Sequence, residues 1–295
     1  VAEPLQSDVS PLVTVAMPVY NAGKYLRLAV LSIVRQTFTD WELLIIDDGS
    51  TDNALQDIAD IDDTRIRILR DGANKGLAAR LNEAADMARG RYFARMDQDD
   101  VSYPERFARQ IEALQNDPEL DLVATRAILI DENDHATGLF PYAISHEEIC
   151  ARPWRGFYFP HPTWMGKIEW FRNRRYTVPG TYFCEDQDLL LRSYRNSRFA
   201  TLDEILFAYR IRKEVNWRKR GKTRRTILRI QLRQFMAICQ WRIMFLVILT
   251  FVGRVAGDML KFIGGLFFQD QLKTVAVPIS SQWHVVLNTL AEKHK

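Results

Sequence analysis

The chain has 295 residues, 47% hydrophobic and 26% charged, with 14 Gly and 11 Pro in no G-X-Y period, which excludes disorder over most of its length and collagen-like architectures. The net charge of +3 is unevenly spread: eleven Lys or Arg against Glu214 alone lie between Arg210 and Arg233, a local +10, so the remainder sums to −7. Cys150, Cys184 and Cys239 stand far apart without a C-x-x-C pair, which excludes a disulfide framework or structural zinc site and fits a reducing compartment.

Residues 1–11 carry acids and prolines where a signal peptide needs a basic start and an apolar run, and read as a flexible leader. Short apolar runs at 12–19, 41–47, 66–69, 91–97 and 122–130 then read as buried strands. Between them Leu26, Val30, Ile33 and Val34 share a helical face, as do Leu77, Leu81, Ala84, Ala85 and Ala88, and later Phe107, Ile111 and Leu114. Alternating strands and helices predict an α/β, Rossmann-like, mainly parallel sheet with helices on both faces and ligands at the strands' carboxyl ends. Ser102 and Glu105 have capping-box spacing, which predicts a helix start just after the acidic cluster at 97–100. Residues 131–215, rich in aromatics and prolines with a helical stretch near 186–195, read as a substrate-covering half of the same domain. Residues 216–295 read as a basic, amphipathic helical region, its helical pattern reaching about 268.

Three acidic groups follow strand ends: Asp47-Asp48, Asp97-Gln98-Asp99-Asp100, and Glu185-Asp186 with Asp188. Singly, each is more often a solvated turn or helix cap. On an extended strand, however, Asp97 and Asp99 project to one side about 7 Å apart and can share a hydrated divalent cation with a phosphate.

Met17-Pro18-Val19-Tyr20-Asn21, Gln36-Thr37 before Trp41-Glu42, and Ile46-Asp47-Asp48-Gly49-Ser50-Thr51-Asp52 occur in that order. Asn74-Lys75-Gly76, Asn82, Gly90, Met96-Asp97-Gln98-Asp99-Asp100 and Glu185-Asp186-Gln187-Asp188-Leu189 follow. In this series, over about residues 12–212, the chain resembles the inverting nucleotide-sugar glycosyltransferases of family 2, of GT-A-type fold. The resemblance implies a nucleotide-binding half (12–130) and an acceptor-binding half (131–215). Pro18, Tyr20, Asn21 and Asp48 would line the base pocket, Lys75 would lie near the uridine and phosphates, and Asp97 near the ribose or diphosphate. Asp99 would hold Mg2+ or Mn2+, whose charge stabilises the leaving diphosphate and whose preference is for oxygen ligands. Asp186, paired with Glu185, would be the base that deprotonates an acceptor hydroxyl during a single inverting displacement; first-turn helix acids are the competing reading. His161 and Trp164 fall where the family has a loop near sugar and acceptor; Trp164 or Trp154 offers a face for stacking, and burial in the core competes with that role. Cys184 reads as packing. Where many relatives carry a histidine two residues after the Y-R element (Tyr209-Arg210), this chain has Arg212, which suits the diphosphate rather than a metal.

Lys222, Arg225, Arg229 and Arg233 form a basic stripe, followed by the apolar run 243–252 and then Arg254, Asp258 and Lys261 on one helical face. An unbroken run of about ten residues is short of the roughly 20 that span a bilayer. The expectation is therefore interfacial helices over 216–268 on the inner, cytoplasmic face of the cell membrane. The function expected is sugar transfer from a nucleoside-diphosphate donor, with UDP foremost, to a glycan or lipid-linked acceptor in bacterial-type surface polysaccharide synthesis. The alternative is a non-catalytic GT-A-like protein that binds membrane or polyanion through its basic segment. No nucleic-acid motif is found, and neither a G-x-G-x-x-G nor a G-x-G-x-R loop follows the first strand. A homo-oligomer is compatible with this reading.

Overall fold

The computed structural model describes residues 10–181, 183–211, 217–265 and 277–291. Five strands form where the apolar runs predict: β1 (Val13–Val19), β2 (Trp41–Asp47), β3 (Ile66–Arg70), β4 (Tyr92–Arg95) and, after the two-residue β5 (Val101–Ser102), β6 (Leu122–Ile130). The helices α1 (Leu26–Val34), α2 (Leu77–Met87) and α3 (Arg106–Asn116) alternate with them. The second half adds β7 (Ala136–Leu139), α4 (His146–Cys150), β8 (Met165–Lys167), α5 (Ile168–Asn173), α6 (Glu185–Ser193) and β9 (Phe199–Arg210). Helices α7 (Trp217–Ala237), α8 (Trp241–Gly265) and α9 (Val277–Ala291) follow.

The strands make one sheet in the order β3-β2-β1-β4-β8-β6-β9-β5, with β7 on the free end of β6. The β3-β2-β1-β4 part is parallel, as is the β6–β9 ladder; β8 enters antiparallel to both β4 and β6, and β5 and β7 pair antiparallel with β9 and β6, so the whole sheet is mixed. Every residue of β1 and β2 is buried, because helices cover both faces. Alternation sorts their side chains. Val13, Val15, Met17, Leu43 and Ile45 join α1 and α3 in one core, whereas Ala16, Leu44 and Ile46 join α2, α5 and α6 in the other.

Helix α3 begins as expected, but Ser102 does not cap it. Ser102 lies in β5, where its hydroxyl accepts from Gln36 Nε2 (3.1 Å), and Gln36 Oε1 takes the amide of Phe107 in the helix's first turn (3.1 Å). Gly90 is required by a close approach: a Cβ there would lie 2.5 Å from the Thr14 amide. The C-terminal helices pack against the body on two sides. Ile230, Phe235 and Val247 of α7 and α8 enter the core with α6. Helix α9, beyond the reach of the helical pattern read from sequence, buries Trp283, Val286 and Leu290 against β5, β6 and β9. The Trp283 ring stacks on Tyr103 (6.1 Å between centroids), and its N–H donates to Asp134 O at 2.7 Å.

Candidate active site

The carboxyl ends of β1, β2 and β4 converge on one loop cluster. Asn21 has positive φ (50°), which Asn tolerates better than most residues; its side-chain oxygen accepts the Thr51 amide (2.8 Å), and Asp52 accepts Gly23 N–H (2.8 Å). Pro18 is buried in β1, and Tyr20 next to Asn21 is 48% exposed, a free aromatic face beside this cluster. Asp48 is buried and accepts from the amides of Lys75 (2.7 Å) and Gly76 (3.0 Å) and from Arg80 Nε (2.8 Å), so it fixes the 73–76 loop. The Lys75 ammonium goes to Asp71 (2.7 Å) and Glu83 (2.6 Å). Arg80, itself buried, also pairs with Asp71 and Glu83; this cationic hub has no counterpart in the residues singled out from sequence.

The acidic segment after β4 is a turn, not the extended strand expected. Asp100 N–H points back to Asp97 O (3.5 Å), and Gln98 is tied to the Tyr20 backbone by two hydrogen bonds (2.6 and 3.0 Å), which bends the segment towards the end of β1. Asp97 pairs with Arg95 (2.8 Å). Asp100 is buried and accepts Arg210 N–H (2.7 Å), while Arg210 also donates to Asp99 O (2.7 Å) and pairs with Asp134 (2.7 Å). Burial, and then the charges of Asp97 and Asp99, push the Asp100 carboxyl well above the usual carboxylate range. Asp99 is half-buried. Arg212 lies outside the described residues.

Arg95 is the residue that sequence reasoning missed. Only 1% exposed, it bonds Asp97 through Nη2, while Nε and Nη1 have no hydrogen-bond partner among the described residues. Burial disfavours its charge, yet Asp97, Tyr176 and Glu185 together hold its pKa above the ordinary value. Its signal in the sequence was position: a charged residue at the end of a buried apolar run, two residues before Asp97.

Glu185 and Asp186 occupy the first turn of α6. Burial, then the neighbouring Asp186 charge, pushes the Glu185 carboxyl up to about 7. Burial raises Asp186 as well, opposed by Gln187, whose Nε2 donates to it at 3.0 Å. Gln187 is held in turn by Phe157 N–H (2.9 Å). The pair therefore sits where a carboxylate is a stronger base than in water and feels both Arg95 and, at Glu185, Asp97. First-turn acids of a solvated helix would not be raised in this way. Asp188 of the same motif is structural: it accepts from Thr177 (2.7 Å) and Arg192 (3.0 Å) and pairs with Arg233 (3.3 Å).

Trp164 is fully buried, its indole N–H on Phe159 O (3.3 Å), so it offers no face to a sugar; it packs edge-on to His161. His161 is nearly buried and shares a 2.7 Å hydrogen bond with the Tyr176 hydroxyl. Burial and the nearby Arg95 lower its pKa well below the ordinary value, so it is a neutral imidazole at pH 7. Asn82 pins Tyr176 by its backbone, accepting from N (3.0 Å) and donating to O (2.9 Å). Cys184 is buried, as the packing reading expects. Among the described residues no group of three or more His, Cys, Asp or Glu is arranged to hold a metal ion. Asp97, Asp99 and Asp100 in one turn nevertheless supply hard oxygen donors of the kind that suit Mg2+ or Mn2+ bound chiefly by diphosphate and water.

Known proteins share this chain's sequence pattern and fold. The family described as Glycosyl transferase family 2 matches residues 14–175. The O-antigen biosynthesis glycosyltransferase WbnJ of Escherichia coli is 34% identical over 209 residues, covering 68% of this chain and 80% of WbnJ. Two solved structures share the fold. TarS 1-349 of S. aureus in complex with UDP-GlcNAc has a TM-score of 0.60 at 17% identity, covering 94% of this chain and 80% of that one. The mannosyltransferase PcManGT of Pyrobaculum calidifontis in complex with GDP-Man and Mn2+ has a TM-score of 0.59 at 15% identity, covering 97% and 82%. The chain belongs to glycosyl transferase family 2.

Proposed function

We propose that the protein transfers a sugar from a nucleoside-diphosphate donor, with UDP-sugars foremost, to a hydroxyl of a glycan or lipid-linked acceptor with inversion, in the synthesis of a surface polysaccharide. The observation that carries this is the buried Arg95 guanidinium, which pairs with Asp97 at 2.8 Å and whose charge is also felt by the raised carboxyl pair Glu185–Asp186. Pro18, Tyr20, Asn21, Asp48 and Lys75 form the nucleoside end, partly through the 73–76 loop that Asp48 orders. Asp97, with Arg212 assigned from sequence, serves the diphosphate. Asp186 takes the acceptor proton, and its raised basicity makes that transfer more favourable than for a solvated Asp. Glu185, carrying its proton near pH 7, shares the site without adding a second full charge. Asp99 would hold Mg2+ or Mn2+, which when bound neutralises charge on the departing diphosphate. His161 acts at the acceptor side by positioning Tyr176.

Helix α8 supports a place on the membrane surface. Trp241–Phe262 is long and apolar enough to cross a membrane, 6% buried over its most apolar window. Two of its four charges, however, are engaged: Asp258 pairs with Arg220 (2.7 Å) and Arg224 (3.1 Å), and Arg254 donates to Arg155 O (2.6 Å). Phe245, Leu249, Val252 and Leu260 lie exposed, which suits a helix lying in the interface on the cytoplasmic leaflet, with the basic stripe of α7 nearby.

Titration calorimetry of UDP, GDP and TDP with and without Mn2+, on wild type and Asp99→Asn, tests the donor reading. Metal-assisted binding of one nucleotide, weakened in Asp99→Asn, is expected. Absence of binding to any nucleotide would overturn it.

A further inference from the structure

Between α7 and α8 lies a cleft of about 670 Å³, within the range of about 300–1,000 Å³ typical of small-ligand sites. Phe251, Val255 and Met259 of α8 form one wall, and Trp217 and Phe262 meet edge-to-face (5.5 Å) at one end. The opposite wall is α7, where Gly221 lines the cleft. A glycine inside a helix costs roughly 0.5–1 kcal/mol relative to Ala, yet a Cβ at Gly221 would meet nothing closer than an Arg225 nitrogen at 3.9 Å. No packing constraint calls for this glycine; its effect is to keep the cleft open.

The rim is cationic. Arg220, Arg224 and Arg225 border the cleft against a single acid, Asp258. Arg220 and Arg224 share that acid, and Arg225 is exposed and makes no ion pair among the described residues. An apolar slot with a surplus of guanidinium at its edge complements an amphiphile whose aliphatic tail ends in a phosphate. The slot is also continuous with the exposed apolar face of α8, since Met259 and Phe262 belong to both. On its other side α7 touches the approach to the carboxyl pair: Lys219 lies over the Phe183 ring (3.6 Å), and the Cys184 thiol meets Thr223 O (3.8 Å), immediately before Glu185.

We propose that the α7–α8 cleft binds the tail of a phosphate-headed membrane lipid, holding the acceptor's own lipid carrier so that its head group lies beside Glu185 and Asp186. This rests on the transferase reading for the acceptor's identity, whereas the lipid site itself stands on the cleft. The test uses decyl phosphate, decanol and inorganic phosphate below the micellar range, titrated into the full chain, with UDP titrated in parallel. Decyl phosphate is expected to bind at least about tenfold more tightly than either fragment. Gly221→Leu fills the slot while favouring the helix, and Arg225→Glu reverses the rim; each is expected to weaken decyl phosphate at least about tenfold and to leave UDP binding unchanged. Equal binding of decanol, equal binding of inorganic phosphate, or undiminished binding in Gly221→Leu would overturn the proposal. A protein that binds decyl phosphate in this pattern but no nucleotide would keep the lipid site and refute the transferase reading instead.

Discussion

Replacing Glu185 by Gln removes a titrating group without changing its size, and the structure sets how the effect must vary with pH. In the folded protein this carboxyl titrates at about 7, against 4.5 in the unfolded chain. Below pH 4.5 both states hold the proton, and the group contributes nothing to the difference. Between 4.5 and 7 the folded state keeps a proton that the unfolded state releases, so stability falls as pH rises; above 7 the loss is constant. At about 1.36 kcal/mol per pH unit the full penalty is about 3 kcal/mol, of which about 2.5 kcal/mol develops between pH 5 and pH 8. Urea melts of wild type and Glu185→Gln at intervals over that range, without nucleotide or metal, should show the variant gaining stability over wild type by that amount. A stability difference that stays flat with pH would refute the claim that burial and Asp186 hold this carboxyl protonated.

Asp186→Asn should lower sugar transfer by about 10²–10⁴-fold while the nucleoside-diphosphate isotherm is unchanged; retained turnover would remove Asp186 as the base. Gly90→Ala places a methyl 2.5 Å from the Thr14 amide and 2.7 Å from the Val13 carbonyl carbon, and thermal melting should report a loss of about 3 kcal/mol. Leu249→Asp, on the exposed face of α8, should abolish flotation with anionic vesicles and shift the melt by no more than about 0.5 kcal/mol, as expected of a surface position.

The first half of the sheet was legible because β1 and β2 are buried on both faces and read as continuous apolar runs, and because α1 to α3 show one-sided periodicity. The antiparallel insertion of β8 was not, since a three-residue strand carries no period. The motif residues divided into two kinds that look alike in one dimension. Glu42 takes the Thr14 hydroxyl (2.7 Å), the Arg89 amide (2.9 Å) and Arg67 (3.0 Å), Gln36 caps α3, and Asn82 pins Tyr176: these build the frame. Asp97, Asp99, Glu185 and Asp186 sit on a loop and a helix start where carboxylates crowd one another, which raises Asp100 and Glu185. A buried polar residue satisfied by three or four partners and one left for a ligand differ only in what surrounds them, which explains why Arg95 and Arg80 escaped notice.

The docking of α9 ties the acidic turn after β4 to the last helix described. Trp283 holds Asp134 O, Asp134 pairs with Arg210, and Arg210 supports the backbone of Asp99 and the carboxyl of Asp100. The first link spans 149 positions of sequence, so in folding it is among the costlier loops to close. The acidic turn is therefore braced from two sides, by the sheet through Tyr20, Arg95 and Arg210 and by α9 through Asp134. Detachment of α9 would remove the Asp134 brace behind Arg210 and leave the turn's bonds to Tyr20 and Arg95 in place, so amides 97–101 would exchange faster than in the intact protein but more slowly than those of α9.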